Sequence, residues 1–67
     1  MKLLSISLGN QRGELEIYAK ADVANDQVIF QAFSNGEMKF ESEFYGDARE
    51  FLMDELKADQ ERYQNAH

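Results

Sequence analysis

The chain has 67 residues, of which 13 are acidic and seven are basic, so its formal net charge is −6. A chain of this length is expected to form one small domain with a thin hydrophobic core. It contains no cysteine, and its single histidine is the last residue, His67, so disulfides, thiolate metal sites and thiol or histidine catalysis are excluded or disfavoured. The excess of acid argues against direct binding of nucleic acid, which needs clustered lysine and arginine.

The N-terminal segment predicts neither a signal peptide nor a membrane helix. One lysine, Lys2, is followed by a short run in which serine alternates with leucine and isoleucine, and this run is too short for the apolar region of a leader. No stretch approaches the roughly 20 apolar residues that a membrane-spanning helix needs. We therefore expect a cytoplasmic protein with no membrane partner.

The first two predicted elements are strands joined by a hairpin loop. Apolar and polar residues alternate over residues 3–8 and again over 14–20, which is the period of half-buried strands. Two glycines and an asparagine within residues 9–13 indicate the loop between them. Pairing Leu8 with Leu15 brings the apolar residues of both strands to one face. The residues predicted to face inward are Leu4, Ile6, Leu8, Leu15, Ile17 and Ala19.

A second hairpin is predicted after a polar connector over residues 22–27. Its strands cover 28–33 and 37–45, and Asn35-Gly36 lies between them, which is among the strongest short-range hairpin signals. Together the four strands predict an antiparallel meander.

The register of the second hairpin has two readings that differ in which side chains face the core. A two-residue turn pairs Phe33 with Met38 and sets Phe30 opposite Glu41. A three-residue loop with glycine in a bulge position pairs Phe30 with Phe40 instead. We favour the three-residue loop, because the other reading sets a charge against an aromatic ring. It predicts an inner face made of Val28, Phe30, Ala32, Met38, Phe40 and Phe44.

The remaining residues predict one helix. Asp47 is suited to cap its N-terminus, and Glu50 completes a capping-box pattern. An apolar stripe at helical spacing consists of Ala48, Phe51, Leu52, Leu56 and Tyr63. The residues expected to face water are Asp54, Glu55, Lys57, Asp59 and Glu61, and the tail is expected to fray from about residue 64. The predicted fold is α+β: one domain over residues 1–67, with a four-stranded antiparallel meander sheet and one C-terminal helix packed on one face.

No group of residues predicts catalysis. Glu41 and Glu43 share one strand face, as do Glu14 and Glu16, and glycosidases use two carboxylates. Such enzymes also need a deep pocket, which this short sheet is not expected to supply. The serines have no histidine to activate them, and no glycine-rich phosphate loop or calcium loop is present. We therefore expect a non-enzymatic protein without cofactor or metal.

The outer sheet face, opposite the predicted helix, carries the functional prediction. In the favoured register it combines aromatic and aliphatic side chains with acids, which is typical of protein interfaces. The predicted partner-binding residues are Tyr18, Ile29, Phe33, Tyr45, Glu41 and Glu43. The partner is expected to be a basic or nucleic-acid-binding protein or complex.

Two alternatives use other features of the sequence. In the first, the chain is a DNA mimic whose carboxylates occupy a basic groove; the candidate side chains are Glu41, Glu43, Asp47, Glu50, Asp54 and Glu55. In the second, it is a small homodimeric accessory protein whose apolar patch meets its own copy.

The order of these elements resembles that of a known class of small proteins. The resemblance is carried by an N-terminal strand, an Asn-Gly hairpin and an acidic-capped helix, at Met1-Lys2-Leu3-Leu4, Asn35-Gly36, Phe44 and Phe51-Leu52. In this layout the chain resembles phage-encoded anti-CRISPR proteins, specifically the type I-F inhibitors. The resemblance implies a stoichiometric inhibitor that binds a surveillance complex in the host cytoplasm and blocks DNA binding. It does not assign a role to any individual residue of this chain.

Overall fold

The alternating segments of the sequence form the strands of one antiparallel sheet. A computed structural model describes residues 1–9 and 13–66. Its strands are β1 (Lys2–Leu8), β2 (Gly13–Asp22), β3 (Gln27–Ser34) and β4 (Glu37–Ser42), in the spatial order β1-β2-β3-β4, and they are followed by helix α1 (Tyr45–Ala66). The predicted α+β class, the four-stranded meander and the single C-terminal helix are therefore confirmed.

The predicted register of the first hairpin is wrong by two residues. Ile6 lies opposite Leu15 and Leu4 lies opposite Ile17, whereas the sequence-based pairing set Leu8 opposite Leu15. A shift of two residues leaves every side chain on its predicted face, because side chains alternate along a strand with a period of two. Residues 10–12 of the predicted loop lie outside the described residues.

The second hairpin has a two-residue turn, so the favoured three-residue loop is wrong. Asn35 and Gly36 both have positive φ, at 54° and 81°, as the tight hairpin turn that matches strand twist requires. Phe33 accordingly pairs with Met38. Met38 therefore shares a face with Phe33 and not with the core, and its side chain is 46% exposed.

A β-bulge next to this turn restores the predicted inner face. The register shifts by one residue between Ala32 and Phe33, so that Ala32 lies opposite Phe40 and Phe30 lies opposite Ser42. A bulge inserts one extra residue into one strand and thereby exchanges the faces beyond it. The hairpin thus has a two-residue turn, and its inward-facing residues still include Phe30, Ala32 and Phe40. Neither of the two registers considered from the sequence combined this turn with this inner face.

The core lies between the sheet and the first half of the helix. Among the described residues, the buried apolar side chains come from three of the strands and from α1: Leu8, Leu15, Ile17, Ala32, Ala48 and Leu52. Six more of the predicted inner residues are half-buried and pack against this group: Leu4, Ile6, Phe30, Phe40, Phe51 and Leu56. The rings of Phe40 and Phe51 stack at 5.2 Å with an interplanar angle of 9°.

The helix begins at Tyr45, two residues before Asp47, the predicted N-cap. Ser42 Oγ accepts a hydrogen bond from the Phe44 N–H at 3.1 Å and donates one to Asp47 Oδ2 at 3.3 Å. Asp47 consequently lies within the first turn of α1 and not at the N-cap, where its carboxylate still opposes the positive end of the helix dipole. Phe44, predicted to face the core, precedes the helix and is 60% exposed; Val28, on the inner face, is also largely exposed.

Beyond Leu56, helix α1 adds no described apolar residue to the core. It remains helical to Ala66, and residues 60–64 are exposed. Asp59, predicted to face water, has a side chain that is only 13% exposed. The described residues span 48 Å along the longest axis and 18 Å across. Within them, no helix is both long and apolar enough to cross a membrane.

Candidate interaction surface on the outer sheet face

The sheet face that points away from α1, called here the outer face, carries a connected group of apolar side chains. It is built from even-numbered residues of β2 and odd-numbered residues of β3, because the odd residues of β2 and the even residues of β3 face the core. Its apolar members are Tyr18, Ile29, Phe33 and Met38. Three of the four, all except Met38, come from the sequence prediction.

Tyr18 and Phe33 form the centre of this surface. Their rings meet edge to face, with centroids 5.2 Å apart and an interplanar angle of 70°. They lie diagonally across β2 and β3, since Tyr18 is opposite Gln31 and Phe33 is opposite Glu16. Edge-to-face pairing is a preferred arrangement of aromatic rings and adds about 0.5–1.5 kcal/mol beyond the area that the rings bury. The two rings therefore form the apolar centre of the outer face, with Met38 on one side of it.

An ion pair fixes one border of the aromatic pair. Lys2 Nζ lies 2.8 Å from Glu16 Oε2, and the Tyr18 hydroxyl donates to the same oxygen at 3.2 Å. The Lys2 ammonium also lies 5.9 Å from the centre of the Tyr18 ring. The hydrogen bond from Lys2 holds the pKa of Glu16 below its usual range, and the same contact raises the pKa of Lys2. Glu16 is therefore an ionised, oriented carboxylate and not a free charge.

The other predicted acids of this surface differ in their position. Glu41 lies on the outer face, where its Oε2 accepts a hydrogen bond from Gln31 Nε2 at 2.8 Å. Glu43 is exposed in the connection between β4 and α1, beyond the end of the strand. The structure thus places Glu41 beside the aromatic centre and Glu43 at its margin.

The prediction that Tyr45 belongs to the outer face is wrong. Strand β4 ends at Ser42 and α1 begins at Tyr45, so the strand alternation used to orient this side chain does not extend to it. The Tyr45 ring instead meets Phe30 edge to face at 5.7 Å. Because Phe30 faces inward, Tyr45 lies on the helix side of the sheet.

The outer face contains two open depressions. One, of about 360 Å³, is lined by Tyr18, Phe33 and Gln31 among others, and the second, of about 440 Å³, is lined by Ile29 and Glu41 among others. Lys20 contributes to both. Because both depressions are open to solvent, they are better suited to side chains of a protein partner than to a small molecule that needs to be enclosed.

A separate acidic stripe follows the exposed side of α1. Asp47, Glu50 and Asp54 are all exposed and line an open depression of about 240 Å³ together with Phe40 and Phe51. Glu55, also predicted for a DNA mimic, is half-buried. Within the described part of the chain, no three Asp, Glu or His side chains are grouped so as to hold a metal ion.

Two residues of the outer face, Met38 and Lys2, were not predicted from the sequence. Met38 was assigned to the core because the favoured loop was one residue too long. Lys2 reaches Glu16 because the β1–β2 register shifts between Lys2 and Leu4, an irregularity that alternation does not reveal.

Comparison of the chain with protein-family models, with curated proteins and with solved structures finds no match.

Proposed function

We propose that this chain is a non-enzymatic protein that binds another protein through its outer face. The observation that carries the proposal is the Tyr18–Phe33 pair, an aromatic centre of two half-buried rings on the outer face, with half-buried Ile29 and exposed Met38 beside it. Binding energy at protein interfaces is concentrated in such aromatic anchors, and surrounding polar groups exclude water from them. The charged border of Lys2, Glu16, Lys20 and Glu41 supplies this polar rim.

The charge of the chain indicates what kind of partner fits this surface. Lys2 of the rim forms an ion pair with Glu16, and the molecule as a whole carries a formal charge of −6. The negative charge of the molecule attracts a basic partner over long distances. This attraction raises the association rate more than the final affinity. We therefore propose a partner with a basic surface and an apolar recess for the aromatic pair.

Capture of partners from a lysate of the source organism, followed by mass spectrometry, tests this proposal. Phe33→Ala removes one anchor and should reduce recovery of the specific partner at least about 30-fold, as expected for loss of roughly 2 kcal/mol or more. Phe44→Ala is the matched control, because it truncates the same residue type where the ring is exposed outside the sheet. Equal recovery by the wild type and both variants would contradict the proposal, provided circular dichroism shows that each variant is folded.

DNA mimicry is the second candidate function, and the acidic stripe on α1 supports it. Asp47, Glu50 and Asp54 recur at helical spacing on one exposed side, so their charges lie in a row. A basic groove occupied by such a row would bind mainly through exposed charge pairs, which salt weakens strongly. Reversal of Glu50 and Asp54 to lysine should then abolish binding, whereas Phe33→Ala should be tolerated.

The resemblance to type I-F anti-CRISPR proteins stays a prediction. If it holds, the partner is a CRISPR surveillance complex, and the outer face would bind it with fixed stoichiometry. Titration of a purified type I-F surveillance complex tests this partner directly. Saturable binding that blocks uptake of target DNA would support it, and absence of binding at micromolar concentrations would exclude this partner while leaving the proposed outer-face interface untouched.

A further inference from the structure

The two edge strands of the sheet differ in how their open edges are protected. Edge strands of monomeric proteins commonly carry charges or bulges that prevent pairing with another chain. β4 has alternating charges at Glu37, Lys39 and Glu41 and a bulge beside its turn. In β1, by contrast, residues 3–8 contain no charged residue, and the register shift is confined to the segment before Leu4. Residues 4–8 therefore form a regular edge without protecting charges.

The hydrogen-bonding directions of β1 follow from those of β2. The Glu14 carbonyl accepts a hydrogen bond from the Asn35 N–H at 2.9 Å, so even-numbered residues of β2 direct their backbone groups towards β3. Odd-numbered residues of β2 must then bond β1, and Leu15 lies opposite Ile6. Since the direction alternates along β1, the N–H and C=O groups of Ser5 and Ser7 point to the open edge.

We propose that residues 4–8 pair antiparallel with the same segment of a second copy of this chain, with the two-fold axis passing at Ile6. In this register Ser5 of one copy lies opposite Ser7 of the other, and the two serine pairs exchange the hydrogen bonds of the open edge. On the inner face Ile6 meets Ile6, and Leu4 meets Leu8 of the second copy. The result is a continuous eight-stranded sheet.

The inner-face residues of β1 favour this register. Leu4 and Ile6 are half-buried at the margin of the core, which α1 covers mainly over β2, β3 and β4. Pairing with a second copy places apolar side chains beside both of them and removes further apolar surface from water. The neighbouring register, centred on Ser5, instead sets Lys2 opposite Leu8. It is disfavoured because it extends the pairing into the segment where the register of β1 shifts, between Lys2 and Leu4.

Charge repulsion between the copies is weakest at this edge. Each copy carries a formal charge of −6. Across the proposed junction the nearest acids lie on β2 of each copy, three strand spacings apart, at about 14 Å. This separation exceeds the screening length of about 8 Å at physiological salt. Repulsion between these acids is therefore largely screened at physiological salt. Pairing should strengthen as the salt concentration rises towards this value, whereas binding to a basic partner should weaken.

Sedimentation velocity of the full chain at micromolar concentrations tests the proposal. The wild type should sediment as a dimer. Ser7→Pro should weaken dimerisation by about tenfold or more, because it removes two intermolecular hydrogen bonds per dimer but, with its N–H on the open edge, none within the monomer. A wild type that remains monomeric at all accessible concentrations, or a folded Ser7→Pro variant that dimerises as tightly as the wild type, would overturn the proposal.

Single cysteines report the register independently of proline. The chain has no cysteine of its own, and Ile6→Cys should form an intermolecular disulfide on mild oxidation because the two copies of position 6 face each other. Glu41→Cys on the opposite edge is the matched control and should cross-link little. More efficient cross-linking through position 41 would overturn the proposal. Phe33→Ala should leave the dimer intact, so failure of this inference is distinguishable from failure of the proposed function.

Discussion

At the scale of single residues, Asn35 joins the ends of the two hairpins. Its N–H donates to the Glu14 carbonyl and its Oδ1 accepts from the Glu14 N–H, both at 2.9 Å. Gly13, with φ of +141°, lies against the Asn35 side chain so closely that a Cβ at this position would overlap the amide. The Asn-Gly turn was predicted for its backbone preference, but its second role as a link to β2 depends on a contact between residues far apart in sequence.

Replacement of Asn35 by alanine should therefore destabilise the protein by about 1–3 kcal/mol, since a hydrogen bond is lost and alanine disfavours positive φ. Asn35→Gly keeps the backbone freedom and loses only the side-chain hydrogen bond. It should therefore destabilise the protein less than Asn35→Ala does. Urea denaturation with linear extrapolation measures both. If the glycine variant were less stable than the alanine variant, the turn geometry would not be the reason for asparagine here.

The ion pair between Lys2 and Glu16 predicts a pH dependence with a definite sign. The pKa of Glu16 is lowered in the folded state, mainly by the hydrogen bond from Lys2. Its contribution to stability is thus present above the unfolded-state pKa of about 4.3 and is lost as pH falls through the lower folded-state value. In urea titrations between neutral and acidic pH, Glu16→Gln should flatten the loss of stability over that interval. An unchanged pH profile in the variant would contradict the assignment.

At the scale of secondary structure, the sequence predicts the elements better than their pairing. Alternation identifies the strands because one face of each is buried, and it also places Tyr18 and Phe33 on the outer face. It does not identify a bulge, because a bulge disturbs the pattern at only one position. The favoured three-residue loop took the place of the bulge, and Met38 was therefore assigned to the core. Tyr45 was misplaced because strand periodicity was extended beyond the end of β4 at Ser42.

Docking of α1 on the sheet depends on Leu52, whose side chain is fully buried. Leu52→Ala should lower the free energy of unfolding by about 2–5 kcal/mol, because it leaves a cavity in the buried cluster to which Leu52 belongs. Leu56→Ala is the matched control, since the same truncation occurs at a half-buried position of the same helix. Thermal denaturation of both variants should show the larger decrease for Leu52; the reverse order would mean that the helix packs differently.

At the scale of the whole molecule, the proposed functions occupy separate surfaces. The aromatic centre lies on the outer face, the acidic stripe lies on α1, and the open edge of β1 lies between the two sheet faces. This separation allows one protein to pair with its own copy and still bind a partner. It also means that variants of each surface can be tested one at a time.

Binding of the captured partner at low and at physiological salt, compared between Phe33→Ala and the double variant Glu41→Lys/Glu43→Lys, tests the central claim most directly. If aromatic anchors supply the affinity, Phe33→Ala loses binding at both salt concentrations, and the charge reversal weakens it less and mainly at low salt. Loss of binding on charge reversal, with Phe33→Ala binding like the wild type, would contradict the claim.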